Sequence, residues 1–261
     1  MQQKRALVTG AARRLGRAMA LSLAGRGYDV AVHYSSSPDE AGEVVREIEK
    51  IGRKAIALPA DLVVEEQVQS LIAQASEALG GPLNVLVNNA SIFEHDDIVT
   101  ADRASWDRHM EANLRAPFVL TQNFAANAPE PVLDENAEPV AQALVVNLLD
   151  QRVRKLTPEF MSYTISKMGL WAFTQTAAMA LGPKVRVNAI GPGPTLKGAR
   201  QTEEHFAHQR ASTLLARGAN PKDVTAALNY LLDAQSVTGQ LIAVDGGQHL
   251  AWQTPDVMRL E

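Results

Sequence analysis

The residues Tyr163, Lys167 and Asp150 have types and spacings that suit proton transfer. The lysine follows the tyrosine by four positions, and the aspartate precedes it by thirteen. Because residues i and i+4 share one face of a helix, this spacing places an ammonium group near a phenol. A nearby positive charge favours the phenolate and lowers a tyrosine pKa from its ordinary value of about 10. The same spacing also arises by chance on exposed helix faces, so the interpretation requires a nucleotide-binding fold earlier in the chain.

The amino-terminal residues predict such a fold. Residues 4–9 contain a short apolar run that is typical of a buried parallel strand, and a turn with Gly10 and Gly16 follows it. The apolar spacing after Gly16 predicts a helix. A strand, a glycine turn and a helix start form a phosphate site, because free N–H groups and the helix dipole point at the anion. Glycine also allows close approach of the backbone. An ordinary turn between a strand and a helix is the alternative.

Seven candidate strands, separated by helical patterns, follow one another along the chain. They are residues 4–9, 29–34, 54–58, 83–87, 141–148, 185–190 and 241–244. This alternation predicts an α/β fold, a single doubly wound Rossmann domain over residues 1–261 with a central seven-stranded parallel sheet flanked by helices. Ligands of such sheets bind at the carboxyl ends of the strands. The acidic, proline-rich residues 127–139 are expected to form a surface loop.

The composition argues against several classes of protein. A chain of 261 residues with 46% hydrophobic residues is expected to bury one large core. The net charge of −4 and the pI near 5.9 argue against nucleic-acid binding. The absence of cysteine excludes disulfides and thiolate metal sites, and the six histidines show no metal-site spacing. The sequence also lacks a signal-type segment and a membrane-spanning apolar run. We therefore expect a soluble cytoplasmic protein without a metal site.

Local signals also place the ends of the helix that carries Tyr163. Thr157 is expected to be its N-cap, with Pro158 at the first helical position. Gly182 and Pro183 are expected to end it. These bounds put the tyrosine in the early turns of the helix, where its side chain can face the strand ends.

Six motifs resemble those of the short-chain dehydrogenase/reductase family, in its order and at its spacings, over nearly the whole chain. They are Thr9-Gly10 with Gly16, Asp61-Leu62, Asn88-Asn89-Ala90, Asn113, Tyr163 with Lys167, and Pro192-Gly193. The resemblance implies an oxidoreductase in which residues 194–220 cover the substrate. It implies catalytic roles for Asp150, Tyr163, Lys167 and Asn113, the last as support for a water that links the lysine to solvent. A surface helix asparagine is the alternative for Asn113.

The resemblance also implies a set of residues that contact a dinucleotide cofactor. These are Gly10, Arg13, Arg14, Leu15, Gly16, His33, Tyr34, Ser35, Ser36, Ser37, Asp61, Leu62, Asn89, Ala90, Ser91, Tyr163, Lys167, Pro192, Gly193 and Thr195. Asp61 matches the aspartate that positions the adenine ring, or else it is a helix N-cap. Thr195 is expected at the nicotinamide amide, or else it is an ordinary loop hydroxyl.

The end of the second strand predicts which dinucleotide is bound. NAD-specific relatives usually carry an acid there for the ribose hydroxyls. This chain instead has His33 and Tyr34 followed by three serines, so no carboxylate repels a 2′-phosphate. The hydroxyls, His33 and Arg14 can bind that phosphate, and NADPH is therefore the predicted cofactor. A flexible serine turn is the alternative.

Asp150 narrows the resemblance to a subfamily. Most members of the family have a serine thirteen residues before the tyrosine, where it binds a carbonyl oxygen and the phenol. A carboxylic acid beside a tyrosine can deliver a proton to an imine nitrogen if desolvation raises its pKa. The alternatives are an alignment shifted by one residue and an inactive enzyme.

Three further residues, Arg14, Ser91 and Phe93, resemble those of pteridine reductases and bacterial dihydromonapterin reductases. In pteridine reductases, the phenylalanine that matches Phe93 stacks on one face of the pterin, and the residues that match Ser91 and Arg14 contact the ligand or the cofactor phosphates. Offset stacking contributes about 0.5–1.5 kcal/mol beyond area burial and suits a flat heterocycle. A core aromatic is the alternative for Phe93, and a tolerated small residue is the alternative for Ser91.

The predicted function is reduction of a pterin or dihydropterin C=N bond by NADPH, with Arg14, Ser91, Phe93, Asp150 and Tyr163 at the substrate. A general carbonyl or alcohol oxidoreductase and a non-catalytic NADP(H)-binding regulator remain open. Relatives are commonly homotetramers that pair through the long helices of the fourth and fifth crossovers, so a homotetramer is expected. The apolar residues of the tail, from 248 to 261, form either a contact surface or a packed end; they are Leu250, Trp252, Val257, Met258 and Leu260.

Overall fold

Parallel strands form the centre of the computed structural model, which describes residues 3–198 and 201–252. In chain order, all the described strands, central or not, are β1 (Lys4–Val8), β2 (Tyr28–Tyr34), β3 (Ala55–Pro59), β4 (Val85–Asn88), β5 (Val132–Leu133), β6 (Pro139–Val140), β7 (Ala143–Leu148), β8 (Val185–Pro192) and β9 (Leu241–Val244). Within this described part, seven of them pair in the order β3-β2-β1-β4-β7-β8-β9. The predicted seven-stranded parallel sheet and Rossmann fold are confirmed.

Helices cover both faces of this sheet. They are α1 (Arg14–Gly25), α2 (Pro38–Lys50), α3 (Glu65–Leu79), α4 (Arg103–Met110), α5 (Ala116–Asn127), α6 (Met161–Leu181), α7 (Glu203–Ala211) and α8 (Pro221–Asp233). Successive residues of a strand point to opposite faces. Thus Val8 packs in the cluster that includes α1, α2 and α8, whereas Leu7 packs in the cluster that includes α3, α5 and α6. Among the described helices, none is long and apolar enough to span a membrane.

The chain order reverses beside β1, which pairs with β2 on one side and β4 on the other. In open α/β sheets, this reversal opens a crevice beyond the carboxyl ends of the strands, where ligands bind. The loops after β1, β4 and β7 meet there, and they carry the glycine turn, the asparagine pair and Asp150. The sheet therefore brings motifs from distant parts of the sequence to one edge.

Two local expectations need correction. Residues 127–139, expected as a loop, contain the exposed strand β5 and the start of β6, which pair as a small antiparallel hairpin. Helix α6 begins at Met161 and not at Pro158. Phe160 precedes it with a φ of 56°, in the left-handed region, so the helix cannot extend back to Thr157. The predicted end is confirmed, because α6 stops at Leu181 and Gly182 follows it.

Candidate active site

The turn between β1 and α1 is shaped for close approach of an anion. Gly10 has a φ of +62°, and a Cβ at Gly16 would lie 2.1 Å from the Gly10 oxygen. Any side chain at Gly16 would therefore force the turn open. The N-cap of α1 is Arg13, whose side chain pairs with Glu40 at 3.5 Å. Among the described residues, no side chain caps the first N–H groups of α1, which follow the carboxyl end of β1, as in phosphate sites.

His33 has a different place from the expected one. Its ring is buried, its Nδ1 accepts a hydrogen bond from the Gly10 N–H at 2.9 Å, and its Nε2 lies 3.0 Å from the Ala60 oxygen. Burial lowers the His33 pKa from 6.5 to about 4, so the ring is neutral near neutral pH. Since both ring nitrogens are engaged inside the protein, His33 supports the glycine turn and cannot contact a 2′-phosphate. Expecting it at that phosphate was wrong.

The serines after β2 lie at the surface beside α2. Ser35 and Ser36 are exposed, whereas Ser37 is buried at the N-cap of α2. Arg13 reaches the same region, because its partner Glu40 lies in the first turn of α2. The Ser35 and Ser36 hydroxyls and the Arg13 guanidinium thus remain as candidate partners of a 2′-phosphate, together with the start of α2.

The segment after β4 is tied to the glycine turn. The Asn89 side chain donates to the Thr9 oxygen at 2.8 Å and to the Gly10 oxygen at 3.2 Å. The Thr9 hydroxyl oxygen accepts from the N–H groups of Asn89 and Ala90 at 2.9 and 3.0 Å. These bonds align two loops along the crevice. The other expected cofactor residues lie at the same edge: Leu15, Asp61 and Leu62 follow β1 and β3, and Tyr34 and Pro192 are the last residues of β2 and β8.

Asp61 is exposed, and its Oδ1 accepts the N–H of Val63 at 3.1 Å. It does not cap α3, whose N-cap is Val64. An adenine contact by Asp61 stays a prediction.

Asp150, Tyr163 and Lys167 come together at the ends of β7 and α6. The Tyr163 hydroxyl donates to Asp150 Oδ2 at 3.0 Å, and Asp150 Oδ1 accepts the N–H of Arg152 at 2.8 Å. Lys167 Nζ donates to the Leu148 oxygen at 2.7 Å and lies 5.8 Å from the centre of the Tyr163 ring. Tyr163 and Lys167 are buried, and Asp150 is half-buried. The carboxyl group and the phenol therefore share one pocket.

The electrostatics of this group differ from the expectation. Burial, followed by the Asp150 charge, raises the pKa of Tyr163 well above 10. Burial also raises the Asp150 pKa, against the opposing effects of the Arg152 N–H and charge. Burial lowers the Lys167 pKa to about 8. The expectation that Lys167 brings the Tyr163 pKa below its ordinary value is thus wrong. Tyr163 holds its proton, which suits a proton donor.

Asn113 lies in a π-helical turn, Glu111–Arg115, between α4 and α5. Its Oδ1 accepts the Ile92 N–H at 2.8 Å and the Ser91 hydroxyl at 3.1 Å. Its Nδ2 donates to the Ile92 oxygen at 2.9 Å and to Ser166 Oγ at 3.2 Å. Single π-turns are frequent at functional sites. Asn113 is buried and fixes the start of the loop after β4, while its expected support of a water stays a prediction.

Phe93 forms an aromatic wall beside the tyrosine. Its side chain is 47% exposed, so the core alternative does not hold. The Phe93 ring centre lies 4.7 Å from that of Tyr163 at an interplanar angle of 73°, and 4.4 Å from that of Phe160 at 6°. The Arg152 guanidinium lies 4.9 Å from the Phe160 ring centre. A flat aromatic surface thus borders the pocket of Asp150 and Tyr163.

The segment after β8 approaches the same pocket. A Cβ at Gly193 would lie 2.6 Å from that of Asp245, which explains the glycine. The Thr195 hydroxyl donates to the Gly193 oxygen at 3.0 Å, as a loop hydroxyl would. Arg14 donates to the oxygens of Leu196 and Lys197 at 3.0 and 2.8 Å. Arg14 therefore joins the glycine turn to the segment that was expected to cover the substrate.

Sequence reasoning missed a buried cluster of Asp96, His109 and Ser162 next to this pocket. Ser162 immediately precedes Tyr163, and the His109 and Tyr163 ring centres lie 6.1 Å apart. The three residues come from separate elements, and they share no spacing that a motif could have revealed. In the predicted contact surface of the tail, Leu250 and Trp252 are exposed, while Val257, Met258 and Leu260 lie outside the described residues.

Comparison with known proteins places this site in context. A family model described as Enoyl-(Acyl carrier protein) reductase matches residues 10–249. The crystal structure of FolM Alternative dihydrofolate reductase 1 from Brucella suis in complex with NADP is 44% identical, with a TM-score of 0.90 over 97% of this chain and 98% of that chain. Its counterpart from Brucella canis, complexed with NADP, is 42% identical, with a TM-score of 0.88 over 98% of both chains. The 3-oxoacyl-(acyl-carrier-protein) reductase FabG of Staphylococcus aureus is 31% identical over 252 residues, which cover 95% of this chain and 98% of that protein.

Proposed function

Since the chain belongs to the short-chain dehydrogenase/reductase family, we propose that it is an NADPH-dependent reductase of a pterin or dihydropterin C=N bond. The observation that carries this proposal is the hydrogen bond of 3.0 Å from the Tyr163 hydroxyl to the Asp150 carboxyl, beside the half-exposed ring of Phe93. The FolM structures, which are those of alternative dihydrofolate reductases, support the same substrate class.

The residues at the glycine turn fit the cofactor. The contact of 2.1 Å that a Cβ at Gly16 would make shows a turn kept free of side chains, and the N–H groups of α1 lie behind it. This turn would hold the pyrophosphate, and Ser35, Ser36 and Arg13 would hold the 2′-phosphate. When bound, NADPH supplies the hydride. Both FolM structures contain NADP.

Proton delivery falls to Tyr163 and Asp150. Burial and the Asp150 charge keep the tyrosine protonated, so Tyr163 can give a proton to a substrate nitrogen while Asp150 is ionised. Burial also raises the Asp150 pKa, so Asp150 is the alternative donor in its protonated state. Lys167, held by the Leu148 oxygen, is a nearby positive charge that stabilises the phenolate left after proton transfer. A carboxyl group suits a nitrogen-containing substrate because it can donate to a ring nitrogen and accept from an adjacent N–H. A ketone offers only an acceptor oxygen.

Phe93 gives the substrate its orientation. The ring is half-exposed and lies beside Tyr163, so a flat heterocycle that stacks on it comes close to the proton donors. Stacking is expected to contribute about 0.5–1.5 kcal/mol beyond the area buried. We propose that residues 194–220 then cover the substrate, held to the glycine turn through Arg14.

The proposal is tested by the substrate range of Asp150→Ser. The purified protein and the variant are assayed for NADPH consumption with dihydropterins, dihydrofolate and a panel of ketones. We expect Asp150→Ser to lose dihydropterin reduction by a factor of about 100 or more and to keep ketone reduction. Asp134→Ser, in the exposed turn between β5 and β6, is the matched control and should retain both activities. Pterin turnover that survives Asp150→Ser would refute the assignment.

Ketone reduction is the second candidate, favoured by the similarity to FabG and by the Tyr163 and Lys167 pair. The same panel decides between the two. Turnover of ketones without dihydropterins would identify a carbonyl reductase, and NADPH binding without any turnover would identify a regulator.

We also propose a homotetramer. Exposed apolar side chains lie on α5 and α6, the helices through which relatives commonly pair; they are Phe118, Ile165 and Met168. Light scattering after size-exclusion chromatography measures the mass directly. Phe118→Glu should reduce the mass to that of a smaller assembly.

A further inference from the structure

The helix that carries Tyr163 is capped by a residue far away in the sequence. Phe160, at the N-cap of α6, has left-handed backbone angles and makes no side-chain cap to the helix. The first N–H groups instead donate to Asp96: Met161 N to its backbone oxygen at 3.3 Å, and Ser162 N to its Oδ1 at 3.1 Å. A carboxylate at a helix N-terminus satisfies free donors and matches the helix dipole.

The Asp96 carboxylate is fully engaged in the protein interior. It is 1% exposed, and its Oδ2 accepts the hydroxyls of Ser162 and, at 2.9 Å, Ser105. Burial alone would raise the Asp96 pKa, but the hydrogen bonds from Ser162 and Ser105 outweigh it and leave the pKa below its ordinary value. A buried charge is tolerated only with such a set of donors. Asp96 thus joins α4, through Ser105, to the start of α6.

His109 completes the cluster. Its Nε2 accepts the Glu94 N–H at 3.2 Å, so Nδ1 carries the proton of the neutral ring. Nδ1 lies 2.7 Å from Ser162 Oγ and donates to it, which leaves the Ser162 hydroxyl to donate to Asp96. Burial lowers the His109 pKa, and the ring therefore stays neutral.

These contacts fasten the loop after β4 at three points. Asn113 holds Ile92, His109 holds Glu94, and Asp96 holds the start of α6. Phe93 lies within this loop, and Tyr163 is the third residue of α6. The aromatic wall and the proton donor are consequently parts of one hydrogen-bonded unit.

We infer that Asp96 is a positioning residue for the reduction, because it fixes the start of α6, and with it Tyr163, relative to Phe93. The inference rests on the proposed function, in which a flat substrate on Phe93 receives a proton from Tyr163. A misplacement of about 1 Å can lower a rate by a factor of about 100. Loss of the Asp96 contacts should therefore lower kcat, while the glycine turn, which Asp96 does not contact, keeps its affinity for NADPH.

Asp97 provides a matched control in the same loop. Its Oδ1 accepts the N–H groups of Val99 and Thr100 at 2.9 and 2.8 Å, and it is partly exposed. Asp97→Ala therefore disturbs the loop without removing the cap of α6. Asp96→Ala removes the cap, and Asp96→Asn keeps an oxygen for the Ser162 N–H but loses the charge.

The first measurement is steady-state dihydropterin reduction well below the unfolding temperature. We expect kcat to fall about ten- to hundredfold in Asp96→Ala, less in Asp96→Asn, and less than about threefold in Asp97→Ala, with NADPH affinity changed less than about twofold throughout. A purely structural role would instead lower kcat in proportion to the loss of thermal stability in both positions. Equal kcat losses for Asp96→Ala and Asp97→Ala at equal stability would overturn the inference.

The second measurement does not require turnover. Hydrogen–deuterium exchange of the amides at Met161 and Ser162 should accelerate in Asp96→Ala and stay unchanged in Asp97→Ala. Absence of pterin turnover in the unmodified protein would refute the proposed function alone. Unchanged exchange in Asp96→Ala would refute the capping, whatever the substrate.

Discussion

Replacing Asp150 by asparagine tests whether the Asp150 charge keeps the Tyr163 hydroxyl protonated. The change preserves the size of the side chain and removes its negative charge. That charge lies 3.0 Å from the Tyr163 oxygen and, after burial, is the main cause of the raised tyrosine pKa. Without it the phenol ionises more readily, so the Tyr163 pKa should fall. Because reduction requires the protonated phenol, the alkaline limb of kcat/KM should move to lower pH.

The size of this shift follows from the distance. Two unit charges about 3 Å apart repel by about 5 kcal/mol at an effective dielectric constant of about 20, equivalent to about four pKa units. Asp150 is only half-buried, and the positive charges of Arg152 and Lys167 offset part of its effect. We therefore expect the limb to move by about one to two units.

The assay is kcat/KM for dihydropterin reduction across the neutral and alkaline range. Asp134→Asn is the control, since Asp134 lies in an exposed turn where its Oδ1 accepts the N–H groups of Asn136 and Glu138. Its profile should coincide with that of the unmodified protein. An alkaline limb that stays in place, or moves to higher pH, in Asp150→Asn would show that the carboxylate does not control the phenol.

Three further changes address the turn and the covering segment. Gly16→Ala should abolish NADPH binding, measured by nucleotide fluorescence, since its Cβ would lie 2.1 Å from a backbone oxygen, whereas Gly25→Ala, which meets nothing within 4 Å, should bind normally. In the folded state the His33 pKa is lowered to about 4, so below pH 6.5 the unfolded state binds more protons than the folded state. The free energy of unfolding should therefore fall by about 3 kcal/mol as the pH falls from 6.5 to about 4. Urea unfolding at both pH values should show a smaller loss of unfolding free energy in His33→Asn and the full loss in the control His208→Asn. Arg14→Leu removes two bonds to the covering segment and should raise KM several-fold with little change in kcat; an unchanged KM would exclude this role.

The strands could be predicted because their signals are local. Four of the six residues 185–190 are apolar, a pattern typical of a strand covered on both faces, and β8 extends the predicted run only to Pro192. Parallel pairing then brings the carboxyl ends to one edge without further information. The meeting of Asp150 and Tyr163 at 3.0 Å follows from this topology, with the residues that the family motif indicated.

The start of α6 could not be predicted in the same way. Thr157 and Pro158 form a good local start signal, but Asp96, more than sixty positions away, supplies the cap at Met161 and Ser162. Rules for helix ends consider only neighbours in the sequence. The position of His33 has the same cause, because its partner Gly10 belongs to another strand end.

The sign of the tyrosine pKa shift shows most clearly what spacing leaves undetermined. The four-residue interval places Lys167 near Tyr163, yet the ammonium group is drawn to the Leu148 oxygen and lies 5.8 Å from the ring centre. Asp150 instead makes direct contact, because its Oδ2 accepts the Tyr163 hydroxyl at 3.0 Å. Burial, followed by the charge and the hydrogen bond of Asp150, outweighs the lowering effect of Arg152 and leaves the proton on the phenol. A serine in place of Asp150 would remove the charge that, after burial, raises the tyrosine pKa most, and would shift the balance toward the phenolate, which is the base needed to oxidise an alcohol. The carboxyl group thus favours a protonated phenol, which is the state that the proposed reduction requires.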